Sequence, residues 1–63
     1  MLNYHQNQLQ IIHYERILQI STYFIELQCM KQRIHIKGNT LSLILFNENE
    51  IIIQGEVHAI EFH

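Results

Sequence analysis

The chain has 63 residues, of which 48% are apolar and 16% charged. A chain of this length allows one domain and excludes a large core, because it buries only about 60% of the surface that its unfolded form exposes. Four basic and six acidic residues give a net charge of −2, which excludes the strongly basic surface that nucleic-acid binding by counterion release requires.

The stretch of residues 1–10 does not predict export. It contains no lysine or arginine and lacks the apolar core of about 7 to 15 residues that a signal peptide needs. The longest apolar run, Leu43 to Phe46, is far shorter than the roughly 20 residues that span a bilayer, so no direct membrane insertion is expected. The single Cys29 excludes an intramolecular disulfide and favours a reducing, intracellular location.

In chain order, residues 1–10 are polar and predict a loose arm or the start of a first strand, and residues 11–63 predict an all-β domain. Apolar and polar residues alternate there, as over residues 25–29, with the period of a half-buried strand. A helix over residues 6–20 is the alternative for the first part of the domain. The alternation predicts strands at residues 11–14, 17–20, 23–29, 33–37, 41–46, 51–54 and 57–62.

The second half of the chain contains one pattern twice. RIHIKGNTLSLILF, residues 33–46, is followed by EIIIQGEVHAIEF, residues 50–62. In each segment one charged residue is followed by the pattern I-x-I-x-G. Gly38 and Gly55 are predicted to occupy structural turns, because glycine reaches positive φ without the steric cost of a Cβ.

In both copies the apolar positions change phase, between Leu43 and Ile44 and between Ala59 and Ile60. Such a change predicts that the strand bulges or turns a corner at that point. One copy alone could not bury its apolar face, so the two are expected to pair through Ile34, Ile36, Ile51 and Ile53. The predicted fold is all-β: a single small domain of about five to seven short strands, as a β-roll, sandwich or open barrel with an internal strand-turn-strand repeat.

The alternation also separates a core face from an opposite face. The predicted core residues are Ile25, Leu27, Ile34, Ile36, Leu41, Leu43, Ile51, Ile53, Val57, Ile60 and Phe62. The candidate interface residues are apolar residues that interrupt the alternation and belong to the face opposite their inward-pointing neighbours. They are Tyr23, Phe24, Ile44, Phe46 and Ile52. Two interpretations are open: a second layer of the same domain covers this face, or a second copy or a partner does.

Residue-level chemistry points away from catalysis. Cys29 shares a face with apolar neighbours and is predicted to be a small buried hydrophobe. Glu48 and Glu50 are predicted to solvate a turn, and the sequence contains no phosphate-binding loop, serine elbow or paired-acid motif. The histidines lack the spacings that place two ligands on one strand face or one helical turn; they are His5, His13, His35, His58 and His63. No enzymatic activity, cofactor or metal is expected.

Two segments, IHIKGNTLSL (residues 34–43) and IIQGEVHAIEF (residues 52–62), carry a family resemblance. In this order and spacing they resemble the YabP/YqfC family of small sporulation proteins of spore-forming Firmicutes, and the resemblance covers residues 12–62. Family members usually place a glycine before the strands that start here at Ile17 and Ile34, where this chain has none.

The resemblance implies a non-enzymatic structural protein made in the mother cell. It implies assembly on or near the surface of the developing spore, in coat or envelope morphogenesis. The partners it implies are further copies of the chain, as a homo-oligomer, or a membrane-anchored protein.

Two alternatives come from other functional classes. One is a small Sm-like or SH3-like barrel that binds RNA. The four basic residues are Arg16, Lys31, Arg33 and Lys37. The aromatic residues are not interleaved with them in the sequence, which disfavours nucleic acid. The other is a metal or pH sensor built on His35 or His58.

Overall fold

The computed structural model describes residues 2–63 as an all-β domain, which confirms the predicted fold class. The strands are β1 (Leu2–His5), β2 (Gln8–Ile12), β3 (Arg16–Ile20), β4 (Phe24–Cys29), β5 (Gln32–Phe46) and β6 (Glu50–Phe62). All neighbours are antiparallel, in one open sheet of order β1-β2-β6-β5-β4-β3. The alternative helix over residues 6–20 is wrong.

Strands β5 and β6 form a long hairpin that belongs to both halves of the molecule. Of the long strand β5, only residues 32–37 pair with β4. Of β6, only residues 50–54 pair with β2. The buried side chains of β2 and β4 nevertheless belong to one apolar cluster, although two strands separate them in the sheet. The sheet therefore folds over on itself, and its two halves enclose the core, as when strands bend from one sheet into another.

The N-terminal segment does not form an arm separate from the domain. β1 and β2 make a hairpin whose register pairs His5 with Gln8, and the intervening Gln6 and Asn7 have φ of 52° and 63°. Two positive φ values are the geometry of a tight type I′ turn, which usually carries glycine. Leu9 of this hairpin is buried in the core, so the predicted boundary after residue 10 divides a single structural unit.

Gly38 and Gly55 do not occupy turns, because each lies inside a continuous strand. A Cβ on Gly38 would lie 2.1 Å from the carbonyl oxygen of Glu56, and one on Gly55 would lie 2.7 Å from that of Thr40. Gly55 also has φ +142°. Each glycine thus lets the partner strand approach closely where the hairpin bends, and the strands predicted on either side of it merge into one.

The predicted phase changes correspond to irregular pairing between β5 and β6. Leu43 pairs with Ile53 and Leu45 with Ile52, so Ile44 is the extra residue of a bulge at the first predicted position. On β6, the pairs of Ala59 and Val57 leave His58 as the extra residue. The second irregularity therefore falls just before the predicted position between Ala59 and Ile60.

The two copies of the repeat pair antiparallel, so that the first half of each lies beside the second half of the other. Ile36 pairs with Ile60, and Leu43 pairs with Ile53. The four isoleucines that are expected to join the copies meet in the core, but none of them is the backbone partner of another; they are Ile34, Ile36, Ile51 and Ile53. The repetition therefore builds two similar halves.

The core contains most of the predicted residues. Seven are buried: Ile25, Leu27, Ile34, Ile36, Leu41, Ile51 and Ile53. Leu43, Val57 and Ile60 are half-buried and pack against them. Phe62 is 53% exposed, because it ends a half-strand that only β5 flanks within the described residues. The core also contains Cys29, as expected, and three residues not predicted: Leu9, Ile11 and Tyr14.

Candidate functional site

The candidate interface residues do not form one surface. Phe24 pairs with Lys37 in the first half of β5. Tyr23 lies directly before Phe24, in the connection that precedes β4. Phe46 and Ile52 pair with residues at the other end of the hairpin. Phe24 is half-buried, with its ring stacked on His35 at a centroid distance of 5.2 Å. The structure thus separates Tyr23 and Phe24 from the other three.

Four apolar residues lie at the far end of the β5–β6 hairpin; we name this region the apolar edge and define it as Ile44, Leu45, Phe46 and Ile52. Phe46 is on the face of its partner Ile51, and Leu45 and Ile52 are on the opposite face. The three residues of β5 are 47%, 38% and 62% exposed, in chain order. Leu45 is the cross-strand partner of Ile52, which is half-buried. On its outer side β5 pairs with β4 up to Lys37, and the N–H groups of Gly38 and Leu41 donate to the carbonyls of Tyr23 and Thr22. Beyond Leu41, no strand in residues 2–63 pairs with this side. Exposed side chains here thus accompany an open backbone edge.

Tyr14 supports this surface from the core side. Its ring lies 6.1 Å from that of Phe46, and its hydroxyl donates a 2.5 Å hydrogen bond to the backbone carbonyl of Asn47. Tyr14 is itself only 9% exposed. The end of β5 is therefore held to the domain by a buried side chain while Phe46 presents most of its surface to solvent.

A second candidate site is an open cleft of about 420 Å³ at the bend of the hairpin. We name it the polar cleft; its lining residues are Asn7, Asn39, Thr40, Ser42, Gln54, Gly55 and Glu56. The Gly55 N–H donates to the Asn7 carbonyl at 2.9 Å, which ties the β1–β2 turn to the hairpin. Thr40 has φ 57°, an unusual value for a β-branched residue.

None of the side chains in the polar cleft was selected from the sequence. Asparagine, glutamine, serine and threonine form no motif there, and they come from strands and a turn that only the fold brings together. The nearest sequence signal is Gly55, for which the sequence predicts a special backbone conformation in a turn rather than inside a strand. Its neighbours across the hairpin could be identified only from the register.

The histidines are dispersed over the molecule. His5, His13, His58 and His63 are exposed and His35 is half-buried. The side chains described in residues 2–63 include no group of three histidine, cysteine or acidic residues that could hold a metal. His58 instead contacts Glu56 at 2.7 Å, and Cys29 contacts the backbone carbonyl of His13 at 3.5 Å.

Basic residues gather in the half of the molecule built around β4. Arg16 and Arg33 are both cross-strand partners of Gln28, and Lys37 is the partner of Phe24. Phe24 and Lys37 are therefore cross-strand neighbours, although aromatic and basic residues are not interleaved in the sequence. However, Glu26 occupies the adjacent outward position on β4, and Lys37 is paired with an acid, so the charge on this face is mixed.

Lys37 and Glu61 form an ion pair with a measurable consequence. The hydrogen bond from Lys37 Nζ, at 3.4 Å, and its positive charge lower the pKa of Glu61 below its ordinary value. Because the pKa is lower in the folded state, the pair stabilises the fold above the ordinary carboxyl pKa. The contribution is lost as pH falls through the folded-state pKa. Both side chains are about half exposed, so this contribution is small.

We therefore expect Lys37→Gln to raise the pKa of Glu61 toward its ordinary value, because the hydrogen-bond donor's charge is removed. An NMR titration of the Glu61 carboxyl carbon measures the change. Lys31→Gln, at an exposed turn residue, is the matched control and should leave that titration as it is. An unchanged Glu61 titration in Lys37→Gln would show that the ion pair does not form in solution.

In the described residues there is no helix, and hence none long and apolar enough to cross a membrane. Comparison with known proteins identifies no relative: no family model, no curated protein and no solved structure matches the chain.

Proposed function

We propose that the chain is a non-enzymatic structural protein of spore formation that works through protein–protein contacts. In this proposal it assembles on or near the surface of the developing spore, in coat or envelope morphogenesis. It does so by self-association or by docking on a membrane-anchored partner. The observation that carries the interaction part is the apolar edge; the sporulation part rests on the resemblance of residues 34–43 and 52–62 to the YabP/YqfC family.

The size of the molecule supports an assembling protein. Its total accessible surface is 4327 Å², and a standard interface takes about 800 Å² from each partner. One such contact would cover about a fifth of the surface of a domain that, at 63 residues, has a small core. Association would therefore add burial that the chain cannot obtain alone.

The geometry of the apolar edge suits association between strands. Ile44, Leu45 and Phe46 follow one another on a strand whose outer side is open, so a partner could add backbone hydrogen bonds and cover apolar side chains together. Phe46 is aromatic, and aromatic residues are enriched at the centre of protein–protein contacts, where a few buried side chains carry most of the binding energy.

The experiment that tests the proposal is a measurement of the mass in solution by analytical ultracentrifugation over a range of protein concentrations. The parent chain should exceed the monomer mass of 7.6 kDa. Phe46→Ser should weaken self-association about 30-fold, corresponding to about 2 kcal/mol for a dominant interface residue.

Two further variants make the result specific. Ile44→Ser removes another part of the apolar edge without the ring contact to Tyr14, so it should also weaken association while the fold is retained. Tyr23→Ser, at a residue 68% exposed in the other half of the molecule, should associate like the parent. A parent chain that remains monomeric at every concentration would contradict self-association and leave only docking on a different protein.

The proposed setting has its own test. Expression confined to sporulating cells, in the mother cell, together with a neighbouring gene for a membrane protein, would support the role in spore formation. Expression throughout vegetative growth would contradict it. An RNA-binding role has less support, since the basic residues of the outer face have Glu26 and Glu61 among them.

A further inference from the structure

We infer that the polar cleft binds a neutral, hydroxyl-rich ligand of the saccharide class. Its side chains supply three carboxamides and two hydroxyls, from Asn7, Asn39, Gln54, Thr40 and Ser42. A carboxamide both donates and accepts hydrogen bonds, and so does a hydroxyl. A sugar hydroxyl has the same dual character, so every group in such a lining can pair with it.

The charges in the polar cleft disfavour other ligand classes. No lysine, arginine or histidine is among its lining residues, so a phosphate or carboxylate would find no compensating cation. Glu56 is the one carboxylate of the lining, whereas calcium sites use several oxygen ligands that usually include more than one carboxylate. A neutral polar molecule is what remains, and one carboxylate is a strong acceptor for its hydroxyls.

The walls of the polar cleft are held in place before any ligand arrives. The Gly55 N–H bonds the Asn7 carbonyl at 2.9 Å, and the Tyr4 hydroxyl contacts Asn7 Oδ1 at 3.2 Å and the Gly55 carbonyl at 3.4 Å. Tyr4 itself is not part of the lining, but its hydroxyl joins two lining residues, one from the β1–β2 turn and one from β6. The positive φ of Thr40 is strain of the kind that accumulates at binding sites.

The volume fits the same assignment. About 420 Å³ falls within the range of roughly 300 to 1,000 Å³ found for small-molecule sites. The cleft is open, so one or two sugar units of a longer chain could lie in it while the rest continues into solvent. The inference does not rest on the proposed function, because the polar cleft and the apolar edge are defined by different residues.

The test is an amide NMR titration of the chain with three neutral tetrasaccharides: chitotetraose, cellotetraose and maltotetraose. At least one should give saturable shifts confined to the amides around Asn7, Thr40 and Gly55. Gln54→Ala should weaken that binding about tenfold, the effect of losing one or two hydrogen bonds. Ser42→Ala, at another exposed lining position, should weaken it in the same direction.

Gln19→Ala is the matched control, since Gln19 is an exposed glutamine on β3 in the other half of the molecule. It should bind like the parent. The titration is repeated on Phe46→Ser, so that a cleft blocked by self-association is distinguished from one that does not bind. The inference is overturned if no tetrasaccharide gives saturable shifts at the polar cleft in either protein, if Gln54→Ala binds like the parent, or if inorganic phosphate binds there instead.

Discussion

Gly38→Ala should remove a large part of the stability of the fold. The added methyl group would lie 2.1 Å from the carbonyl oxygen of Glu56, and relief requires the two strands of the central hairpin to move apart. We expect a loss of more than about 4 kcal/mol, against a total stability of about 3 to 9 kcal/mol for a domain of this length. Circular dichroism with urea denaturation measures the loss.

Gly55→Ala should be destabilising for a related reason, because φ +142° is unfavourable for alanine and its Cβ would lie 2.7 Å from the Thr40 carbonyl. Ser42→Ala, an exposed position on the same long strand, is the control and should change stability by no more than about 0.5 kcal/mol. A Gly38→Ala protein that melts within a few degrees of the parent would show that the bend is not as tight as described.

Ile53→Ala should lower the free energy of unfolding by about 3 to 4 kcal/mol, while Ile52→Ala lowers it by about 1 kcal/mol or less. The two isoleucines are neighbours on β6, but Ile53 is fully buried in the core and Ile52 is half-buried on the outer face. The substitution is chemically the same at both positions. Only the direction of the side chain differs, so the pair tests the register of β6 directly.

The opposite order of the two stability losses would indicate a different register of β6. A slip of one residue in the pairing of β6 would exchange the two faces, and Ile52→Ala would then be the more damaging change. Equal losses would mean that both faces are covered, as in a tight oligomer that buries the apolar edge. Urea denaturation at several protein concentrations separates these cases, since stability that comes from association rises with concentration.

Part of this structure is readable from residue order because the side-chain period of a strand is two. Alternation alone placed Ile25, Leu27, Ile34, Ile36, Ile51 and Ile53 in the core, and the structure confirms it. The change of apolar phase after Leu43 likewise predicted an irregularity, and a bulge is present there. Local pattern is sufficient in these cases because each signal is contained within a few neighbouring residues.

The errors share a different cause. The sequence predicts turns at Gly38 and Gly55 because glycine is common in turns. In the structure the missing Cβ instead makes room for the partner strand, a requirement that comes from across the hairpin. Because the Gln6–Asn7 turn contains no glycine, the sequence predicts neither the first hairpin nor the burial of Leu9. Phe62 has the predicted phase but lies where, among residues 2–63, no further strand covers it.

By itself the sequence determined the all-β class, the doubled pattern and most of the buried face, because these depend on composition and on a period that each strand carries alone. The tertiary structure decided how the copies pair, since antiparallel pairing brings the first half of one beside the second half of the other. It also decided that the apolar edge lies open and that a polar cleft forms at the bend. The polar cleft combines Asn7 with residues 39–56, which are distant in the chain, and the apolar edge is open because β4 pairs with β5 only up to Lys37. Both features depend on the folded register.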